Sequence, residues 1–270
     1  MLDPLLIAEL ALLGVFTGFL AGLLGIGGGM LMVPFITLIM GHKGVPPELA
    51  VKVAIATSMA TIIFTSISSV RAHHKRGAVR WDIVTRLAPG IVLGAAVASM
   101  GVFSVLKGQW LALFFALFVG FSATQMLLDR KPAPSRTMPG TAGQWGVGSA
   151  IGFLSGLVGA GGGFVSVPFM TWCNVAMTQA VATSAALGFP IALTNVAGYI
   201  WAGQHTPGLP AGSAGYVFVP ALAVIATASV LTAPLGVRAA HAMPVKKLKR
   251  VFALVLYTLA AYMLVQGLKG

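Results

Sequence analysis

Residues 18–35 read GFLAGLLGIGGGMLMVPF, and residues 152–169 read GFLSGLVGAGGGFVSVPF. Twelve of the eighteen positions are identical at a constant offset of 134, which marks an internal duplication. Weaker echoes follow in the same order. Ala56-Thr57-Ser58 returns as Ala182-Thr183-Ser184, and Pro89 as Pro220. The chain therefore divides into a first repeat over residues 1–129, a Pro/Ser-rich linker over 130–142, and a second repeat over 143–270. Each repeat is a Gly-rich segment followed by three long apolar segments.

Those segments set the class of the molecule. Residues 49–70, 83–106, 109–128, 178–201, 214–237 and 248–268 are each apolar over about 20 residues, the length that crosses a ~30 Å hydrocarbon core as a helix. Hydrophobic residues make up 57% of the chain and charged residues only 8%, against roughly a quarter in a soluble domain. Alternating ten-residue strands, the mark of a membrane barrel, are absent. The fold class expected is all-α and polytopic in a membrane. Met1-Leu2-Asp3-Pro4 puts no basic residue ahead of the first apolar run, so that run does not read as a cleaved signal peptide.

The Gly-rich segments do not read as ordinary spans. A run of three glycines costs a helix about 1 kcal/mol per residue relative to alanine, and Pro34 and Pro168 suit the first position of a new helix. From Pro34 the apolar stretch reaches only Met40 before Gly41-His42-Lys43, which predicts a returning half-helix about 12 Å long. The charges agree with a hairpin. With eight single crossings the 17 basic residues split almost evenly between the two faces. With both Gly-rich segments entering and leaving on one side, thirteen fall in the loops at 71–86, 130–136 and 238–250, and only Lys43, Lys52, Lys107 and Lys269 fall opposite. The positive-inside rule selects the second arrangement. It makes the halves inverted relative to each other, the linker cytoplasmic, and both termini external.

Unwound backbone at membrane depth is tolerated where it is buried in protein or lines a polar cavity. Two helix N-termini meeting there would each offer free N–H groups and about half a positive charge to an anion. The candidate substrate-binding residues are accordingly Gly27, Gly28, Gly29 and Met30 in the first repeat, and Gly161, Gly162, Gly163 and Phe164 in the second. Thr57, Ser58, Thr183, Ser184 and Asn195 are the nearby polar groups expected to complete the cage. Small residues spaced four apart also permit close helix packing, the simpler account of Gly14, Gly18 and Gly22. Arg71 and Arg238, at segment ends, are cations within reach of an anion path.

Other chemistries fit poorly. The glycines are followed by neither Lys-Ser/Thr nor the final glycine of G-x-G-x-x-G. His73-His74 sit beside Lys75-Arg76 and read as solvated interfacial residues, while His42, His205 and His241 stand alone. Cys173 is the single cysteine and reads as a buried hydrophobe. Five carboxylates, Asp3, Glu9, Glu48, Asp82 and Asp129, leave little for acid–base or metal chemistry, so neither an enzyme nor a cofactor is expected. The formal charge of +12 is the basic balance of a membrane protein and calls for no nucleic-acid partner. Partners expected are a small anion and the lipid bilayer. Without a titratable group on the path, export of an anion from an inside-negative cell is driven by about 2.3 kcal/mol per charge per 100 mV. An anion channel, or a carrier of a different small anion, is the alternative reading.

The doubled GxxGxGGG-(x)4-P, Gly22 to Pro34 and Gly156 to Pro168, resembles the TauE/SafE family of sulfite exporters. Leu209-Pro210, Gly212-Ser213 and Gly215-Tyr216-Val217 resemble that family's loop ahead of its seventh segment. The resemblance spans essentially the whole chain. It implies a secondary transporter of sulfur-containing anions, such as sulfite or sulfoacetate, in a bacterial inner membrane.

Overall fold

The structure, a computed structural model, describes residues 4–25, 28–128, 136–242 and 246–269. The chain runs α1 (Pro4–Leu24), α2 (Gly29–His42), α3 (Pro47–His74), α4 (Trp81–Ala96), a π-helical turn (Val97–Val102), α5 (Phe103–Val105), α6 (Gly108–Leu128), α7 (Thr141–Val158), α8 (Gly163–Trp172), α9 (Met177–Gly203), a two-stranded ribbon β1 (Ser213–Ala214) and β2 (Val217–Phe218), α10 (Val219–Ala242) and α11 (Lys246–Lys269). From α4 through α5 the helix is one continuous apolar span, Trp81–Val105. Among the described residues, seven helices are long and apolar enough to cross a membrane. The protein is an all-α polytopic membrane protein.

Burial separates the helices into two classes. The span windows of α3 and α9 are 72% buried, while those of α1, α4, α6, α10 and α11 are between 33% and 39% buried. The first two form the centre, and the others turn one side to lipid. Outward faces carry Leu12, Phe16, Leu117, Phe121 and Leu231, apolar because the hydrocarbon is their solvent. This is why no helical period shows in the sequence: both sides of a peripheral helix are apolar.

Helix pairs are built by small residues. Gly14, Gly18 and Gly22 of α1 lie against Ile225, Ser229 and Ala233 of α10, so closely that a Cβ on Gly22 would stand 2.0 Å from the Ala233 carbonyl oxygen. Gly90 and Gly94 of α4 meet Trp145 and Ser149 of α7 in the same manner. Position numbers rise together in both pairs, so α1 runs parallel to α10, and α4 parallel to α7. α3 also runs parallel to α10, since Ser68 bonds Val230 and His73 meets His241. α6 and α11 are antiparallel, with Thr124 bonded to Tyr257 and Gly267 against Leu113. Lys52, near the start of α3, bonds the Ser104 carbonyl at the end of the α4 span, so these two are antiparallel as well.

The directions sort the charges. Arg71, Lys75, Arg76, Arg80, Arg136 and Arg238 gather at one end of the bundle; Arg136 is bonded there to Trp172 and Asn174. Lys43, Lys52 and Lys107 lie at the other, where Gly108 meets Glu48 and Gly208 meets Leu49. Of the linker, residues 130–135 lie outside the described residues, as does Gly27.

Several boundaries differ from those read in the sequence. α2 begins at Gly29 and α8 at Gly163, so Pro34 and Pro168 each sit at the sixth helical residue rather than the first. α2 has 14 residues and α8 has 10, or about 21 and 15 Å of rise, longer than the expected half-helix. The reason is that Gly28 and Gly162, at φ 74° and 76°, take the left-handed N-cap conformation and start the helix immediately. The segment expected at 214–237 starts with the β-ribbon, and its helix begins at Val219.

Candidate functional site

The two glycine turns face each other across the middle of the bundle. In the first, α1 closes with Gly25 donating its N–H to the Ala21 carbonyl at 3.0 Å; the chain re-enters a helix after Gly28. In the second, Gly159 donates to Ser155 at 2.9 Å, and the helix resumes after Gly162. All four residues have positive φ, which only glycine adopts without strain. They correspond in the repeat, 25 with 159 and 28 with 162, so the duplication preserved a backbone shape.

Hydroxyls from the central helices tie each turn to the opposite half. Ser58 of α3 donates to the Gly159 carbonyl at 2.9 Å, and Ser184 of α9 donates to the Gly25 carbonyl at 2.9 Å. The neighbouring threonines accept. Thr57 takes the Phe218 N–H and Thr183 the Arg80 N–H, each at 3.0 Å, fixing the entries to α10 and α4. These four bonds pair off: Ser58 with Ser184 on a glycine carbonyl, and Thr57 with Thr183 on a backbone N–H, while Ser166 donating to Ser184 has no counterpart at Met32. The packing repeats too: Gly25 meets Val181, and Gly159 meets Ile55.

The expected site residues thus separate. Gly28, Gly29, Met30, Gly161, Gly162, Gly163, Thr57, Ser58, Thr183 and Ser184 are brought together and buried, and Phe164 is half-buried beside them. The glycines, however, are closed against protein. A Cβ on Gly29 would lie 2.0 Å from the Gly159 carbonyl oxygen, and one on Gly28 would lie 2.8 Å from that of Thr17. Asn195 is fully buried but stands elsewhere, its Nδ2 on the Ile191 carbonyl and its Oδ1 close to Gly156 of α7 without a hydrogen bond.

Between the turns lies a cavity of about 10 Å³, lined by Gly25, Ser66, Ser69, Gly161, Ser184 and Gly188 among others. That is room for about one water molecule. Ser184 was expected here; Ser66 and Ser69 were not. Ser69 is 2% exposed, and its Oγ has no hydrogen-bond partner. One turn further along α3, His73 is 1% exposed, with Nδ1 3.3 Å from Nε2 of His241 and Nε2 facing the Gly22 backbone outside hydrogen-bond geometry. His73 is therefore not solvated, and His241 is not alone. Ser66, Ser69 and His73 form a polar column leading from the cavity to the basic end of the bundle. The spacing of three and four was present in the sequence, hidden in an apolar stretch with no face marked as interior. Arg71 and Arg238 do not reach the cavity. Among the described residues no group of three His, Cys or carboxylate side chains is placed to hold a metal.

Comparison with known proteins decides the family. A profile described as "Sulfite exporter TauE/SafE" matches residues 10–263. The chain belongs to the TauE/SafE family. A probable membrane transporter protein of Haemophilus influenzae is 36% identical over 253 residues, covering 93% of this chain and 96% of that protein. Another, of Methanocaldococcus jannaschii, is 28% identical over 96% of each chain. A third, of Bacillus subtilis, is 29% identical over 72% of this chain and 78% of its own. No solved structure matches. This TauE/SafE protein is accordingly a multi-pass membrane transporter acting on a small molecule, and its relatives are named as transporters rather than enzymes.

Proposed function

We propose that this TauE/SafE protein exports a small sulfur-containing anion, sulfite or an organosulfonate such as sulfoacetate. In this reading two halves of opposite orientation alternate access to a site at the glycine turns. The observation that carries it is the exchange of hydrogen bonds at those turns. Ser58 on Gly159 and Ser184 on Gly25 are one contact made twice, as expected for halves related by a two-fold axis lying across the helices. The parallel pairing of α1 with α10 and of α4 with α7, and the antiparallel α6 and α11, support the same axis.

A sulfur oxyanion is several times larger than the one water the cavity admits. The geometry described is therefore a closed form, and binding requires the hairpins to part. Parting releases the Gly25 and Gly159 carbonyls from Ser184 and Ser58, and turns those hydroxyls, with Ser69, into donors for the anion. The N–H groups of Gly29, Met30, Gly163 and Phe164 belong to the first turns of α2 and α8, ahead of the intrahelical bonds, and add the positive ends of two helices. The basic end is placed in the cytoplasm and both termini outside, following the distribution of Lys and Arg.

Flux in proteoliposomes tests this reading, with sulfite, sulfoacetate, sulfate and acetate compared under an imposed potential. Saturable flux of a sulfur oxyanion, stopped by Gly29→Val, is expected. Flux that never saturates would assign a channel, and no flux of any sulfur oxyanion would sink the substrate class.

A further inference from the structure

We propose that the groove between α3 and α10 is a binding site for an anionic phospholipid, its phosphate held at the basic end and an acyl chain laid along the apolar remainder. The two helices run parallel, and each presents one face to the groove. On α3 and its C-cap that face is Phe64, Ile67, Arg71 and Lys75, and on α10 it is Leu222, Ala226, Val230, Pro234 and Arg238. These recur every three or four residues, so each set is one stripe. Ser68 donates to the Val230 carbonyl at 2.8 Å and closes the floor, which separates the groove from the central cavity.

The two ends of the groove differ in chemistry. The basic end is an open hollow of about 640 Å³ lined by Arg71, Lys75, Arg76 and Arg238, with no carboxylate in its wall. The one ion pair found among the described residues joins Arg80 to Asp82, so none of these four cations has a counter-ion among the described residues. Arg76 is already positioned by its bond from Nη1 to the Val237 carbonyl at 3.1 Å. Next along the helices lies a second hollow of about 520 Å³, lined by Phe64, Leu222, Val230 and Leu231 and sharing Phe64 and Val230 with the first. Its walls open sideways, with Leu231 71% exposed.

A small anion would need only the basic end. An apolar extension on the lipid-facing side, whose one polar lining residue Thr227 bonds back to the Ala223 carbonyl, selects an amphiphile. The length also fits: from Phe64 to Lys75 α3 rises about 16 Å, half of a ~30 Å core and so one leaflet. Basic pockets between helices at a membrane surface gain about 1 kcal/mol per cation from anionic headgroups.

The test uses purified full-length protein in mild detergent, titrated with phosphatidylglycerol, phosphatidylcholine or inorganic phosphate, and read by retained lipid in native mass spectrometry and by melting temperature. Saturable retention of phosphatidylglycerol over phosphatidylcholine is expected, with inorganic phosphate failing to compete. The double substitution Arg71→Gln/Arg238→Gln should weaken retention about thirty-fold, while Arg86→Gln, at the same end but outside the groove, leaves it unchanged. Leu231→Trp, which fills the tail groove and keeps every charge, should also weaken it, so a misfolded double variant does not spare the proposal. Equal retention of the two lipids, equal loss in the Arg86 control, or displacement by inorganic phosphate would each overturn it. None of these outcomes bears on which anion is transported, so this site and the transport reading fail separately.

Discussion

At the residue scale, glycine has two separable roles in this protein, and mutation distinguishes them. Gly29 is held 2.0 Å, in Cβ terms, from the backbone oxygen of Gly159, while Gly120 of α6 has nothing within 4 Å. Gly29→Ala should lower stability by about 1–3 kcal/mol, because backbone must shift. Gly120→Ala should be neutral or raise stability by up to about 1 kcal/mol through helix propensity. Thermal unfolding of the two in the same detergent checks the contrast. The serines allow a sharper separation. Ser58 fills a buried carbonyl's bond, so Ser58→Ala should cost about 1–3 kcal/mol. Ser69 has an unpartnered buried hydroxyl, so Ser69→Ala should keep or raise the melting temperature yet reduce transport. A Ser69→Ala protein with full transport would remove Ser69 from the site. Cys173 is 7% exposed, with its thiol pushed up by burial, so it should alkylate slowly and leave the wild-type background usable for labelling.

At the scale of elements, the glycine stripes are zippers between helix pairs. α1 closes on α10 through Gly14, Gly18 and Gly22, and α4 on α7 through Gly90 and Gly94. Membrane helices gain little from excluding lipid, so packing at short range carries the association. Gly18→Val and Gly94→Val should therefore destabilise by similar amounts, read as matched losses of melting temperature. A large loss at one and none at the other would argue against equivalent interfaces. The α1 stripe and the long apolar segments are legible in sequence, 49–70 corresponding to Pro47–His74 and 178–201 to Met177–Gly203, whereas Gly90 and Gly94 are not marked there as a stripe. The length of α2 is not legible either. Pro34 reads as a start signal, but the left-handed Gly28 begins the helix five residues ahead of it. Proline as the sixth helical residue removes a single intrahelical bond, and Pro34 is buried there.

At the scale of the whole molecule, the distribution of charge predicts sidedness. Single cysteines at Lys43 and Lys107 should react with an impermeant maleimide in intact cells, and those at Lys75 and Arg136 only after permeabilisation. All four reacting alike would contradict the sorted ends. The same arrangement sets the energetics of the proposed export, since an anion leaving an inside-negative cell gains about 2.3 kcal/mol per charge per 100 mV. Efflux from proteoliposomes should thus quicken with an imposed potential in that sense and slow when the sign is reversed.

By itself the sequence determined that the chain lives in a membrane, where its six long apolar segments lie, and that two copies of a glycine turn interrupt it; that α1, Pro4–Leu24, is also a helix long enough to cross came from the structure. Those properties depend on local composition and on the length of apolar runs against a fixed bilayer thickness, and both can be counted along a chain. Only the tertiary structure decided what the turns touch. Gly29 needs no Cβ because Gly159 lies against it; Thr57 and Thr183 serve backbone N–H groups at the entries to α10 and α4. Ser66, Ser69 and His73 share an interior face. In lipid, apolar residues line every side of a helix, so hydropathy carries no record of which side meets protein. That record exists only once the neighbours are in place.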